Sequence, residues 1–230
     1  MRAVVVGTGR MGTLVKAELE ARGHDVLAWV GEEDNPDGAA LTPTRLAGAE
    51  VAIEFTTPAA APRNIERLLE AGLAVVSGTT GCDAALPHLE HLARQHGALL
   101  HATNFSVGLH LMRRAAVMLA RSFATHPDFE PHLVEVHHSA KLDAPSGTAL
   151  TLGRAVHEEA GIELPITSIR TGKVPGTHTL SFEGPHESVT LAHSVRDRAV
   201  FAAGAVMAAE WLRGRQGVFR LDDVLGGGDR

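Results

Sequence analysis

Between Glu135 and Thr148 the chain reads E-V-H-H-S-A-K-L-D-A-P-S-G-T, placing two imidazoles, an ammonium group and a helix-start signal in one short segment. A histidine ordinarily titrates near 6.5, so His137 can give or take a proton around neutral pH. Lys141 adds a full positive charge nearby. Asp143 or Ser146 suits the cap of a following helix, Pro145 suits its first turn, and Gly147 leaves the first backbone N–H groups unobstructed. Free N–H groups at a helix start attract carboxylates. The segment therefore reads as a proton-transfer site that also binds a dianionic small molecule. Each residue alone would be an ordinary solvated side chain in a turn, and the functional reading rests on all of them occurring together.

These side chains need elements to hold them. Leu133, Val134 and Val136 predict a β-branched strand running into the histidines, and Ala149, Leu150, Leu152, Ala155 and Val156 recur at helical spacing beyond them. At the start of the chain a strand over residues 3–6 leads into Gly7-Thr8-Gly9-Arg10-Met11-Gly12, followed by an amphipathic helix through Leu14, Val15, Ala17 and Leu19 that ends near Gly23. In such a strand, glycine turn and helix, the first glycine permits the tight turn and the second lets backbone approach a pyrophosphate. The third lets the helix pack closely. A second strand over residues 26–30 is followed by Glu32, at the spacing where an acid binds the adenosine ribose hydroxyls.

The alternation continues through a strand at Val51–Glu54, a helix carrying Ile65, Leu68 and Leu69, a strand at 74–76, a helix at 86–95 and a strand beginning at Leu99. Such repetition predicts a doubly wound Rossmann-type parallel sheet with its ligand crevice beyond the strand C-termini. The turns Glu54-Phe55-Thr56-Thr57-Pro58, Gly78-Thr79-Thr80-Gly81 and Asn104-Phe105-Ser106-Val107-Gly108 all fall there. From Gly108 a helix carries Leu109, Met112, Ala116, Leu119 and Ala120. Beyond residue 165 the order changes: strands at Ile166–Arg170, 178–182 and 188–195 follow one another directly, predicting a second, α+β domain with a mixed or antiparallel sheet. A helix at Ala199–Leu212 and a frayed tail over 226–230 close the chain.

Composition narrows the function. With a formal net charge of −6 and no basic run, nucleic acid is not an expected partner, because neutralising phosphates needs clustered Lys and Arg. No apolar run is long enough for a bilayer, and Met1 leads directly into the first strand, so neither a membrane span nor a signal peptide is expected. Cys82 is the single cysteine, which fits a reducing cytoplasm and a bland structural residue. Fourteen histidines show no H-x-x-x-H helix, Cys pair or His-rich tract, so no metal is expected.

The pattern His-His-x-x-Lys-x-Asp-Ala-Pro-Ser-Gly-Thr resembles the signature of the 4-hydroxy-tetrahydrodipicolinate (dihydrodipicolinate) reductases, nicotinamide-dependent enzymes of the diaminopimelate route to lysine. The strand-end turns resemble the family's D-F-T-x-P, G-T-T-G and N-F-S-x-G stretches, with Glu54 in place of the usual Asp, a change given little mechanistic weight. Arg170-x-Gly172-x-x-x-Gly176-x-His178 and Asp197-Arg198-Ala199-Val200-Phe201-Ala202 extend the likeness to Leu225. The chain is short for the family, since residues 31–44 leave little room for an extra strand and helix.

The resemblance implies a dinucleotide-binding domain over residues 1–105, completed by 199–230, and a substrate-binding and oligomerisation domain over 106–198, in a cytoplasmic homotetramer. It implies that hydride adds to C4 of a conjugated cyclic imine, that His137 donates the quenching proton, and that Lys141 stabilises the developing charge and holds a carboxylate. His138 and the Ser146-Gly147-Thr148 helix start would contact a dicarboxylate substrate. Gly7, Thr8, Gly9, Arg10, Met11, Gly12 and Glu32 would bind the cofactor with Gly78, Thr79, Thr80, Thr103, Asn104, Phe105 and Ser106, the later turns facing the nicotinamide half. Glu32-Glu33-Asp34 favours NADH over NADPH, although Arg10 or Arg45 could reach a 2′-phosphate. The rivals are another two-domain dehydrogenase of a small acid, of aspartate or homoserine type, and a non-catalytic NAD(H) sensor; the first would use other catalytic residues, and the second would normally carry a recognition surface.

Overall fold

Strands that are apolar along their whole length need cover on both faces, and the first hundred residues supply it with helices. In the computed structural model, which describes residues 1–226, β1 (Arg2–Val6) feeds α1 (Arg10–Ala21), and β2 (Asp25–Val30) follows. A single-turn 3₁₀ helix at Pro36–Gly38 and the short α2 (Pro43–Leu46) precede β3 (Val51–Glu54). No strand lies between β2 and β3 among the described residues, as the shortness of this region suggested. Then come α3 (Ala61–Glu70), β4 (Ala74–Ser77), α4 (Leu86–His96) and β5 (Ala98–His101). Every residue of β3 and β4 is buried, whereas β2 alternates between exposed and covered positions, as an edge strand does.

The next stretch builds a separate unit, Val107–Asp197. Here α5 (Val107–Phe123), β6 (Glu130–His137), α6 (Gly147–Ala160), β7 (Ile166–Arg170), β8 (Thr177–Glu183) and β9 (Ser188–Ser194) form a four-stranded sheet in the order β7-β6-β8-β9. The β6–β7 pair is parallel and the other two are antiparallel. Leu133, Leu180 and Phe182 point inward and pack with Met112 and Ala116 of α5 and Ala149, Leu152 and Val156 of α6. Period-two alternation carries that inward face on to Glu135 and His137 along β6, and to His178 along β8. The core face thus turns polar as β6 runs out.

The chain then returns to the first unit, which comprises Met1–Ser106 and the chain from Arg198 on. There α7 (Ala199–Leu212), β10 (Gly217–Phe219) and α8 (Leu221–Val224) complete a six-stranded, wholly parallel sheet in the order β10-β5-β4-β3-β1-β2. α1 and α7 cover one face, burying Val15, Leu19, Ala205, Val206 and Ala209. α3 and α4 cover the other through Ile65, Leu68, Leu69, Leu89 and Ala93. Of the tail expected to fray, only Gly226 lies within the described residues.

Candidate active site

The glycine turn is built by close backbone approaches. Gly7 has φ +114°, and a Cβ there would sit 2.1 Å from the Phe55 carbonyl oxygen. A Cβ on Gly12 would lie 1.9 Å from the Gly7 carbonyl oxygen, so the third glycine lets α1 close down on the turn that precedes it. That carbonyl also accepts a hydrogen bond from the Trp29 indole at 3.0 Å, tying the turn to β2. Gly9 caps α1 without a side-chain hydrogen bond, and a Cβ on it would meet nothing within 4 Å. Backbone donors and open space therefore coincide where a phosphate would sit.

Two hollows flank this turn within the first unit. One, of about 170 Å³, is lined by Gly7, Thr8, Gly9, Glu32, Asn35 and the Phe55–Thr57 turn, among others. The other, of about 340 Å³, is lined by Gly9, Arg10, Met11, Phe55, Thr56, Pro58, Gly78, Thr79 and Thr80. Gly12, Thr103, Asn104, Phe105 and Ser106 line neither. Phe105 and Ser106 are buried, and the Phe105 ring meets Phe55 edge-on with centroids 5.8 Å apart. β5 ends at His101, ahead of the Thr103–Ser106 turn.

Glu54 has more weight than its conservative replacement of Asp suggested. Its fully buried carboxylate accepts from Ser77 Oγ at 2.7 Å, Thr56 N at 2.9 Å and Thr79 Oγ1 at 3.1 Å, and from the Thr56 hydroxyl. One carboxylate thereby ties together the turns after β3 and β4 that line the larger hollow.

In the second unit, strand pairing assembles a further set. Glu135 and His137 share one face of β6, Arg170 of β7 lies directly across from His137, and His178 of β8 directly across from Glu135. The Glu135 carboxylate bonds His137 Nδ1 through Oε2, while Oε1 accepts from Arg170 Nη2 at 2.7 Å and from the Ser146 N–H at 3.3 Å. The His137 and His178 rings meet edge-on, with centroids 5.2 Å apart. Arg170 also donates to the Asp143 carbonyl oxygen, holding the loop ahead of α6.

Helix α6 begins at Gly147, two residues beyond Pro145, which therefore lies outside its first turn. Pro145 follows a cis peptide ahead of the cap, and Ser146, not Asp143, is the capping residue. Its buried hydroxyl accepts from Ala149 N at 3.2 Å and lies 3.3 Å from His178 Nε2, so it is engaged within the fold. Gly147 is exposed and Thr148 partly so, and a Cβ on Gly147 would meet nothing within 4 Å. Lys141 Nζ pairs with Asp143 Oδ1 at 2.7 Å. His138 is half-buried at the strand exit, its carbonyl accepting from Lys141 N at 3.1 Å.

Electrostatics follow the burial. Burial pushes the Glu135 carboxyl up, but hydrogen bonds from Arg170 and His137 outweigh it and hold the group at about 2. Burial lowers His137, against the opposing pull of Glu135, and carries His178 down to about 4. Lys141 beside it lowers Asp143. At neutral pH the set is an ionised carboxylate clamped by a guanidinium, with His178 held neutral.

Sequence reasoning gave no role to Glu135, Arg170, His178 or Glu54. The first three could be found only by combining two-residue alternation with the strand register, which neighbours in sequence do not reveal. Glu135, His137 and His178 also place one ligand atom each within 4.8 Å of one another, a grouping absent from sequence patterns because it spans two strands. Arg170, bonded to that carboxylate, opposes a cation there.

A parallel doubly wound sheet opening on a glycine turn, with a mixed sheet carrying a histidine–lysine segment, defines the class of two-domain nicotinamide-dependent oxidoreductases. Within it the chain belongs to the dihydrodipicolinate reductase family: the model described as Dihydrodipicolinate reductase, N-terminus, matches residues 1–105, and that of the C-terminus residues 108–225. It is 33% identical over 238 residues to the 4-hydroxy-tetrahydrodipicolinate reductase of Christiangramia forsetii, covering 98% of each chain. It is 36% identical to that of Caulobacter vibrioides, covering 97% of this chain and 96% of the relative. The solved dipicolinate-bound dihydrodipicolinate reductase from Paenisporosarcina sp. TG-14 has the same fold, with a TM-score of 0.80 at 23% identity over 96% of this chain and 97% of that one.

Proposed function

We infer that this protein reduces 4-hydroxy-tetrahydrodipicolinate, after loss of water, to tetrahydrodipicolinate in the diaminopimelate route to lysine. The carrying observation is the segment His137 to Thr148, which sets a half-free imidazole, a lysine and an exposed helix start within one turn of chain. The first unit would hold the cofactor through the uncapped start of α1, with Gly7 and Gly12 keeping the backbone close and Gly78, Thr79 and Thr80 nearer the nicotinamide. A bound nicotinamide supplies the hydride. Lys141 and the N–H groups at Gly147 and Thr148 would hold substrate carboxylate, with His138 as a further contact. As negative charge spreads through the reduced ring, Lys141 would offset it and His137 would deliver the proton.

The finer assignments rest on the same residues. Glu32 lines the smaller hollow beside Thr8 and Gly9, where a carboxylate accepts from both ribose hydroxyls and repels a 2′-phosphate, so NADH would be the preferred donor. Arg10 lines the other hollow, and Arg45 neither. The family resemblance supports a homotetramer formed through the second sheet, whose side away from the core carries Val134, Val136 and Thr179. Among the described residues no helix is long and apolar enough to cross a membrane, and a biosynthetic reductase with the lone, buried Cys82 suits the cytoplasm. Purified protein given NADH and enzymatically generated substrate should bleach the nicotinamide absorbance. Activity only on aspartate or homoserine-type substrates, or NADH binding without turnover of any, would replace this reading.

A further inference from the structure

A carboxylate with no exposed surface lies inside the second unit, although nothing in the proton donation or carboxylate binding described above employs it. Burying a charge costs several kcal/mol unless it is paired and hydrogen-bonded, and Glu135 is both: Arg170 Nη2 and the Ser146 N–H hold Oε1, leaving Oε2 for His137 Nδ1. An ionised carboxylate only accepts, so the proton in that bond lies on Nδ1. The other ring nitrogen is left for chemistry. Among the described residues no hydrogen bond occupies His137 Nε2, and the nearest backbone is kept thin by Gly176, where a Cβ would sit 3.0 Å from Nε2.

We propose that Glu135, clamped by Arg170, is a positioning residue that fixes one proton on His137 Nδ1 and leaves Nε2 as the atom that passes the second proton to substrate. The inference rests on His137 being the proton donor. In the step, the cyclic imine gains the hydride, the resulting carbanion takes the proton from imidazolium Nε2, and neutral His137 keeps its Nδ1 proton until water restores the other. Glu135 stays ionised throughout. The groups facing the imidazole are Glu135 on β6, Arg170 on β7, His178 on β8 and Lys141 in the following loop. Of these only Glu135 favours the imidazolium, and it opposes the effect of burial.

The test is the pH profile of kcat for wild type, Glu135→Gln, Glu135→Asp and His137→Gln, with NADH affinity measured alongside. Glu135→Gln should move the alkaline limb toward acid by about one unit or more and lower kcat at neutral pH by at least about tenfold. Glu135→Asp should recover part of both, and NADH affinity should stay within roughly twofold. A limb left in place overturns the inference even if kcat falls, because that is a structural defect alone. If His137→Gln keeps the wild-type limb and rate, the proton-donor reading itself fails. If His137→Gln abolishes the limb while Glu135→Gln leaves it unmoved, only the positioning role fails. Should Glu135→Gln not fold, ¹⁵N spectra of the wild-type imidazole at alkaline pH decide: neutral His137 must carry its proton on Nδ1, and an Nε2–H tautomer overturns the proposal.

Discussion

Lys141 already holds a carboxylate, that of Asp143, at 2.7 Å. An arriving substrate carboxylate would replace one anion with another, so the ammonium need not be stripped of all partners before binding. Lys141→Ala should leave NADH affinity intact and lower kcat by about 10²- to 10³-fold, the usual loss for an electrostatic stabiliser of developing charge. Stopped-flow and steady-state kinetics check this, and near-normal turnover would remove Lys141 from the chemistry. His138→Gln should raise KM more than it lowers kcat, and His137→Gln the reverse. Buried histidine also sets the acid stability of the fold. His178 is lowered to about 4, so as pH falls below about 6.5 the unfolded chain takes up a proton that the folded chain refuses. That contribution is complete above about 6.5 and is lost on the way to about 4, amounting to at most about 3 kcal/mol. Glu135, held at about 2, takes over lower down: its stabilisation is present above the ordinary carboxylate range and is lost as pH falls toward that value. Urea unfolding at pH 7, 6 and 5 should show a steady decline in wild type that is flatter in His178→Gln.

At the level of elements, legibility in the sequence followed locality. α7 and β7 have the bounds that periodicity predicts, Ala199–Leu212 and Ile166–Arg170, because each carries its signal within its own residues. β10 was not distinguished: three residues leave no period to read, and the strand exists because Gly217–Phe219 pair with Ala98–Leu100. The start of α6 shifted past Pro145 for a local reason, since the Ser146 hydroxyl caps the helix and proline stands outside it. The histidine–lysine segment was legible as a run of residue types, whereas its supports on β6, β7 and β8 depend on register. Close approaches between elements were equally hidden. A Cβ on Gly204 of α7 would fall 1.8 Å from the Phe105 carbonyl oxygen, against open space at Gly147. Gly204→Ala should therefore lower stability by about 1–3 kcal/mol or more, whereas Gly147→Ala should change it little, as paired thermal melts would show. At the end of β2, Glu32 predicts a higher kcat/KM with NADH than with NADPH, and Glu32→Arg should narrow or invert that ratio. An NADPH advantage in wild type would mean that Arg10 outweighs the carboxylate.

For the molecule as a whole, the two units differ in how the chain supplies them. Val107–Asp197 is one uninterrupted stretch, while the six-stranded sheet needs α7 and β10 from beyond it. A chain stopped after Asp197 would keep α1 over β1 and β2 but leave the part of that face under α7 bare, including Ile53, Val76 and Leu100 of β3, β4 and β5. Its first 106 residues should bind an apolar dye and be digested by protease while the second unit resists, as mass spectrometry of the fragments would show. A digestion pattern equal for both units would contradict this. During synthesis the same arrangement sets an order. The ribosome releases β1 to β5 first, yet their exposed face waits through the making of the entire second unit before its cover emerges. At about 5–20 residues per second that interval lasts several seconds, so the nascent nucleotide-binding half keeps part of its apolar sheet face exposed for longer than the half made after it.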